Sequence, residues 1–237
     1  MHPPRPTPLP RLRRKRRVDL PRFIGRFSEG VAQIDAQTER YHSRWDHHNE
    51  QARHDDGPLW VALGDSSTQG VGASEWHFGW THLVLDRLQA VTGEPWRLVN
   101  LSMSGGRFRD VADRQIPVLN TMLADPDLVT CVIGSNDLMW RRGTTAIYRD
   151  ADEAMTRIPA GTLVSRLSGP GSRPGRLNEI FERYAADREL GLFDIWNWPS
   201  GRNALAADYV HPNDLGYRYM AELAWPALAA ELGVPVE

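Results

Sequence analysis

The chain is short of several things, and each shortage excludes something. Its 237 residues hold one cysteine, Cys131, so no intrachain disulfide framework can staple the fold. Cys131 lies inside the apolar run 128–133 and reads as a small buried core residue. No apolar run approaches the length of a membrane span. The basic start, with Arg13-Arg14, resembles the first part of a secretion signal. No apolar segment follows it, because Val18-Asp19-Leu20-Pro21-Arg22 is broken by charge and proline. The expected location is therefore cytoplasmic. Lysine occurs once, against 27 arginines, a genomic composition bias into which no chemistry is read.

The apolar share of 41% is slightly low for a globular chain, and the polar first 58 residues account for the deficit. The net charge of −2 conceals a division. Residues 1–26 carry nine Lys/Arg and one Asp, a balance of +8, and the remainder is acidic at −10. Residues 1–10 hold five prolines, which predicts an extended tail. The basic run 11–17 suits weak contact with an anionic surface. No aromatic residue is interleaved to stack bases, which argues against a specific nucleic-acid site.

Phe27, Val31, Ile34, Thr38, Tyr41 and Trp45 repeat at alternating spacings of four and three. This is one face of an amphipathic helix, docked on the body or, as the second reading, on another copy. Glu29, Gln33, Gln37, Glu39 and Arg40 are placed on its polar face. His47, Glu50, Gln51 and His54 share a further face, but their spacing matches no specific zinc motif, so no metal is expected. Gly57-Pro58 marks a boundary. The expected organisation is a basic tail over 1–26, a helix and linker over 27–58, and one domain over 59–237.

That domain alternates. Strands are expected at 59–64, 96–101, 127–133, 161–167 and 191–196. Helices are expected at 79–92, 108–123 (kinked at Pro117), 144–158, 174–190 and 212–232 (bent at Pro226, capped by Gly233). Five such alternations predict an α/β fold with a parallel sheet and helices on both faces.

Polar signals stand at the strand ends. The first strand stops at Gly64-Asp65-Ser66-Ser67. Asn100-Leu101-Ser102-Met103-Ser104-Gly105 follows the second, and Gly134-Ser135-Asn136-Asp137 the third. Asp208-Tyr209-Val210-His211-Pro212 stands before the closing helix. The C-terminal edge of an open α/β sheet is where ligands bind. A serine hydroxyl there needs a base, and the base needs an acidic orienter. Ser66, His211 and Asp208 supply these, with Ser66 chosen over Ser67 because it directly follows Gly-Asp. The expected oxyanion donors are the N–H of Ser66, the N–H of Gly105 and the side-chain amide of Asn136. Asp65 is expected to hold its turn without a catalytic part, and Asn100 is left outside the site.

These four blocks, in this order, resemble those of the SGNH (GDSL) hydrolases over residues 59–232. The resemblance implies a flavodoxin-like three-layer α/β/α sandwich of five parallel strands in the order 2-1-3-4-5, here with an N-terminal helical extension. It implies a metal-free, cofactor-free serine hydrolase that cleaves a small-molecule carboxylic ester through an acyl-enzyme. The absence of a long insertion to form a lid favours a short or medium acyl group. Carbohydrate deacetylase, thioesterase, lysophospholipase and acyltransferase activities share such a site and stay open, as does a non-catalytic binding module with a basic tail. Two departures stand out. Ser67 follows the serine where an aliphatic residue is common, and Gly106 stands where a bulkier residue is common, which predicts a looser loop. Leu138-Met139-Trp140-Arg141-Arg142 and Trp198 are candidates for the pocket wall.

Overall fold

The computed structural model describes residues 9, 10, 12, 29–122, 124–139, 143–169, 171–199 and 202–236. Phe27, Trp140, Arg141, Arg142 and, Leu12 apart, the basic run lie outside them.

A long helix comes first, α1 (Glu29–Ala52). The body then runs β1 (Leu59–Gly64), α2 (Trp80–Thr92), β2 (Arg97–Asn100), α3 (108–119), β3 (Leu128–Val132), α4 (Ser135–Met139), α5 (Thr144–Arg157), β4 (Leu163–Ser165), α6 (Ser172–Arg188), β5 (Gly191–Phe193) and α7 (Asp214–Leu232). All strand pairs are parallel, and the sheet order is β2-β1-β3-β4-β5. This is the order expected.

β1 and β3 are wholly buried because both faces of the sheet are covered, as a parallel sheet requires. Successive side chains point to opposite faces. Leu59, Val61 and Leu63 join Val99, Val129 and Cys131 in one core, closed by residues of α3, α5 and α6. Trp60 and Ala62 join Leu98, Leu128 and Val132 in the other, closed by α2 and α7. Leu9, from the stretch expected to be extended, and Leu12, from the basic run, pack against the first core.

Several elements differ from expectation. The helix over 108–119 is not a plain helix kinked at Pro117. Its middle, Val111–Gln115, is a π turn, and Pro117 sits just beyond it in Ile116–Leu119. A proline lacks the N–H that a continuing ladder would use, so it suits a fresh start after a bulge. The 135–139 stretch, where no helix is expected, is a short helix. α7 begins at Asp214, after Asn213 caps it by accepting from the N–H groups of Leu215 and Gly216, and it continues through Pro226 to Gly233.

α1 buries Ile34, Tyr41 and Trp45 as its stripe predicts, but also Gln37 and Asn49. It covers the exposed edge of β2. Asn49 Oδ1 accepts from the N–H of Asn100 at 2.8 Å, and its Nδ2 donates to the carbonyl of Asn100 at 2.8 Å. One amide side chain thus takes the place of a sixth strand at that edge. The four His/Gln/Glu residues proposed as a metal-compatible face make one side-chain contact among themselves, His54 with Glu50 at 3.4 Å. Among the described residues no group of three or more His, Cys, Asp or Glu could hold a metal, and no helix is long and apolar enough to cross a membrane.

Beneath α1 lies an aromatic cluster. His82 of α2 packs against Trp45 (4.7 Å between ring centroids), Trp76 (4.5 Å) and His48 (5.4 Å). Among the described residues its Nδ1 has no hydrogen-bond partner. Burial, with His48 and His77 adding, lowers its pKa from 6.5 to about 3. Folded His82 is therefore neutral where the unfolded chain would protonate it. Stability should be whole above pH 6.5 and fall as the pH drops toward 3. At pH 5 the loss from this group is about 2 kcal/mol. In urea titrations at pH 7.5 and pH 5, His82→Phe should remove roughly that share of the difference. An unchanged difference would show that His82 is not held neutral.

Candidate active site

β1 ends at Gly64, where the chain must turn against β3. Its φ of 150° is a glycine conformation, and a Cβ there would lie 2.4 Å from the Val132 carbonyl. The next residues form a tight turn, closed by Thr68 N–H to the Asp65 carbonyl (3.2 Å) and Val71 N–H to the Ser66 carbonyl (3.0 Å). The structure separates the two adjacent hydroxyls. Ser67 Oγ donates to Asp65 Oδ1 at 2.7 Å, whereas Ser66 Oγ lies 2.8 Å from His211 Nε2.

His211 comes from the loop before α7. Ala206 N–H donates to the His211 carbonyl at 2.8 Å and closes this loop into a compact turn, with Tyr209 in the left-handed region at φ 55°. Inside the turn, Asp208 Oδ1 accepts from the N–H groups of Val210 (3.0 Å) and His211 (3.1 Å), and Oδ2 lies 2.6 Å from His211 Nδ1. Burial works to raise the Asp208 pKa. The His211 ring and the two N–H groups outweigh it and hold the carboxyl below its ordinary value. An ionised carboxylate can only accept, so His211 Nδ1 carries a proton toward Asp208. In neutral imidazole, Nε2 is then the acceptor that faces the Ser66 hydroxyl.

Of the residues expected to hold an oxyanion, Asn136 is drawn to the first and second loops. Gly105 sits at φ 69° in the turn after β2. Asn136 lies in α4 directly after β3, and its Nδ2 faces the Gly106 carbonyl at 3.1 Å and Asp65 Oδ2 at 3.2 Å. Ser135 Oγ donates to the same Asp65 oxygen at 2.5 Å. Asp65 therefore ties the first block to the third, more than the turn-holding expected of it. Gly106 does not loosen its loop. A Cβ there would lie 2.7 Å from the Met103 carbonyl and 3.0 Å from that of Gly64, so the absence of a side chain lets the two loops close on each other. Of the pocket-wall candidates, Met139 is exposed, and Trp198 packs on Tyr219 of α7 at 6.0 Å.

Two supporting residues, Gln115 and Gln69, escape the sequence reading, and a third, Asn100, stands outside the expected site. Gln115, in the π turn, clasps Gly64 twice: its Oε1 accepts from the N–H and its Nε2 donates to the carbonyl, each at 2.8 Å. Gln69 joins the first and second loops by donating to the Ser102 carbonyl (2.9 Å) and accepting from Ser104 Oγ (2.6 Å). Asn100, left out of the site, braces the second loop: its Oδ1 accepts from Ser102 N–H at 3.0 Å and also from Ser102 Oγ, and its Nδ2 donates to the Thr68 carbonyl at 2.8 Å. Glutamines and asparagines within ordinary helix and loop patterns carry no signal of such long-range pairing.

Comparison with known proteins adds an independent view. The profile of the GDSL-like lipase/acylhydrolase family matches residues 62–219. No curated protein matches the chain. Among solved structures, the psychrotrophic esterase EstA from Pseudoalteromonas sp., described as inhibited by monoethylphosphonate, superposes with a TM-score of 0.63 at 17% identity, covering 74% of this chain and 98% of its own. A lipase/acylhydrolase from Enterococcus faecalis gives 0.56 at 20% identity, covering 76% and 98%. The salicylyl-acyltransferase SsfX3 from a tetracycline biosynthetic pathway gives 0.53 at 19% identity, covering 78% and 58%.

Gln115→Met keeps the bulk of the side chain and leaves the buried N–H of Gly64 without its acceptor. It should cost about 1–3 kcal/mol of stability in urea denaturation. A loss below a few tenths would show that water replaces the clasp.

Proposed function

Because this chain belongs to the GDSL-like lipase/acylhydrolase family and is a carboxylic ester hydrolase, we propose that it cleaves its ester through an acyl-enzyme formed on Ser66. The observation that carries the proposal is the chain of contacts from Ser66 Oγ to His211 Nε2 (2.8 Å) and from His211 Nδ1 to Asp208 Oδ2 (2.6 Å).

In this reading Ser66 Oγ attacks the ester carbonyl while His211 Nε2 takes its proton. Asp208 keeps the imidazole in the required tautomer and stabilises the imidazolium. The oxygen of the tetrahedral intermediate accepts from the N–H groups of Ser66 and Gly105 and from Asn136 Nδ2. For this, Asn136 exchanges its 3.2 Å contact with Asp65 for the oxyanion. His211 then protonates the departing alcohol. Water, deprotonated by the same imidazole, releases the acid and restores Ser66. The imidazole side chain is 22% exposed, which suits a small ester that arrives from solvent. A short or medium acyl group is the favoured substrate. Transfer of the acyl group to an alcohol in place of water is the second reading. It draws on the likeness to SsfX3, whose name describes an acyltransferase.

Hydrolysis of p-nitrophenyl acetate tests the first reading. Ser66→Ala should lose nearly all turnover, and Ser67→Ala should keep most of it. An ethyl p-nitrophenyl phosphonate, which loses p-nitrophenolate as its phosphorus bonds to the attacking serine oxygen, should label Ser66 and not Ser67. The ethylphosphonate adduct resembles the tetrahedral intermediate, and EstA is described as inhibited by monoethylphosphonate. The opposite pattern in either experiment assigns the nucleophile to Ser67. Asn136→Ala should lower kcat by roughly 10²–10³, as for other oxyanion donors; a rate near wild type removes Asn136 from the oxyanion site. Added alcohols that raise acyl transfer above hydrolysis would favour the second reading.

A further inference from the structure

α1 lies outside the stretch that matches the family profile, yet it reaches the site loops. Its buried polar residue Gln37 faces the irregular strap 71–74, which follows the Ser66 turn. Gln37 Oε1 accepts from Gly72 N–H at 2.8 Å, and Gln37 Nε2 donates to the Ala73 carbonyl at 2.6 Å. Tyr41, one helical turn on, donates to the same carbonyl at 2.8 Å and accepts from Gln37 Nε2 at 3.0 Å. Burial, with Glu75 adding, pushes the Tyr41 hydroxyl up to about 12, so it stays a donor. Farther along α1, Trp45 Nε1 donates to the Gln69 carbonyl at 3.0 Å.

The strap is where the two halves of the triad meet. At its start, Val71 N–H donates to the Ser66 carbonyl. At Gly72 (φ 104°), a Cβ would lie 2.8 Å from His211 Cβ and 2.3 Å from the Pro212 carbonyl, so the strap rests directly on the base of the His211 side chain and the peptide after it. α7 holds its other side: Tyr217 donates to the Val71 carbonyl at 2.6 Å, and Asp214 accepts from Ser74 N–H and Oγ, each at 2.6 Å. α1 also touches the His211 loop. Gly30 meets the Ala207 carbonyl so closely that a Cβ would lie 2.5 Å away, and Ile34 packs with Val71 and Ala206.

We propose that α1 is a working part of the active site, and that Gln37 and Tyr41 are positioning residues that press strap 71–74 onto His211 and so set the Ser66–His211 hydrogen bond. The inference rests on Ser66 as nucleophile and His211 as base. The strap has no sheet or helix of its own to fix it. Without the two α1 side chains, one side of it loses every hydrogen bond described above, and its contact with His211 is free to relax. Proton transfer depends steeply on this geometry.

The test uses the full chain and p-nitrophenyl acetate. Gln37→Met keeps the volume and removes both strap bonds; Tyr41→Phe keeps the ring and removes one. Gln37→Met should lower kcat tenfold or more with KM within twofold, and Tyr41→Phe should lower it about threefold or more. The rate at which ethyl p-nitrophenyl phosphonate labels Ser66, read as p-nitrophenolate released, should fall in parallel. Gln37→Glu, which still accepts from Gly72 N–H, should recover part of the loss. Ile147→Val, a core change in α5, serves as the stability control and should keep kcat at a similar loss of Tm. Wild-type kcat in the folded variants, or a loss confined to KM or matched by the control, overturns the proposal. If Gln37→Met does not fold, Tyr41→Phe decides alone by the same criteria. Ser66→Ala is run alongside: if it stays active, the nucleophile assignment fails; if it is inactive while both α1 variants turn over normally, only the positioning role fails.

Discussion

The hydrogen bond between Ser66 and His211 joins residues 145 positions apart, and neither residue's own loop can hold the other in place. Most of the architecture around the site serves this one contact. β1 delivers Ser66 at the sheet edge from a fully buried strand, so its backbone is fixed by neighbours on both sides. His211 arrives from beyond β5, at the far end of the sheet, and its loop must reach back across the rim. The Asp208 turn gives that loop a rigid shape, and Asn213 pins its exit by donating to the carbonyls of Asn203 and Leu205. The imidazole is thus held against the Ser66 hydroxyl by the fold itself.

A second constraint is the charge of Asp65. It is almost completely buried, with 1% of its surface exposed, and accepts from Ser67 N–H, Ser67 Oγ, Ser135 Oγ and Asn136 Nδ2. A buried carboxylate is costly unless its lone pairs are filled. Filling them here draws donors from the ends of both β1 and β3, so one residue sets the spacing between the Ser66 turn and the Asn136 helix. It also occupies the Ser67 hydroxyl, which leaves Ser66 as the one of the pair that faces the imidazole.

Side-chain amides supply much of the remaining cross-linking. Gln69, Asn100 and Gln37 pair with backbone groups of irregular segments near the rim, and Gln115 and Asn49 do the same for the last residues of β1 and β2. Such segments cannot satisfy their own N–H and C=O groups, and an uncharged amide can offer one donor and one acceptor to a peptide without a desolvated charge. In the sequence these residues sit in unremarkable contexts. Gln37 was placed on the solvent side of α1 because it lies off the apolar stripe, and periodicity counts polarity without knowing what lies opposite. Gln115 falls in a helical pattern whose π turn has no signature beyond the nearby Pro117. The short α4 was missed for a similar reason: five residues are too few for a period to show.

The linear chain determined the layers of this protein. Alternating strand and helix patterns settled a parallel sheet covered on both faces, because buried strands and one-sided helices have different periods. Polar blocks at three strand ends and before α7 marked where chemistry could stand, because apolar runs stop there abruptly. What only the tertiary structure decided is how those blocks are held relative to one another: that Asp65 takes up the Ser67 hydroxyl and bridges two loops, that Gly106 tightens its loop, and that α1 bears on the rim. These are pairings between residues far apart in sequence, fixed by close packing and by hydrogen bonds to backbone groups, and no local pattern of residue types encodes such a partner.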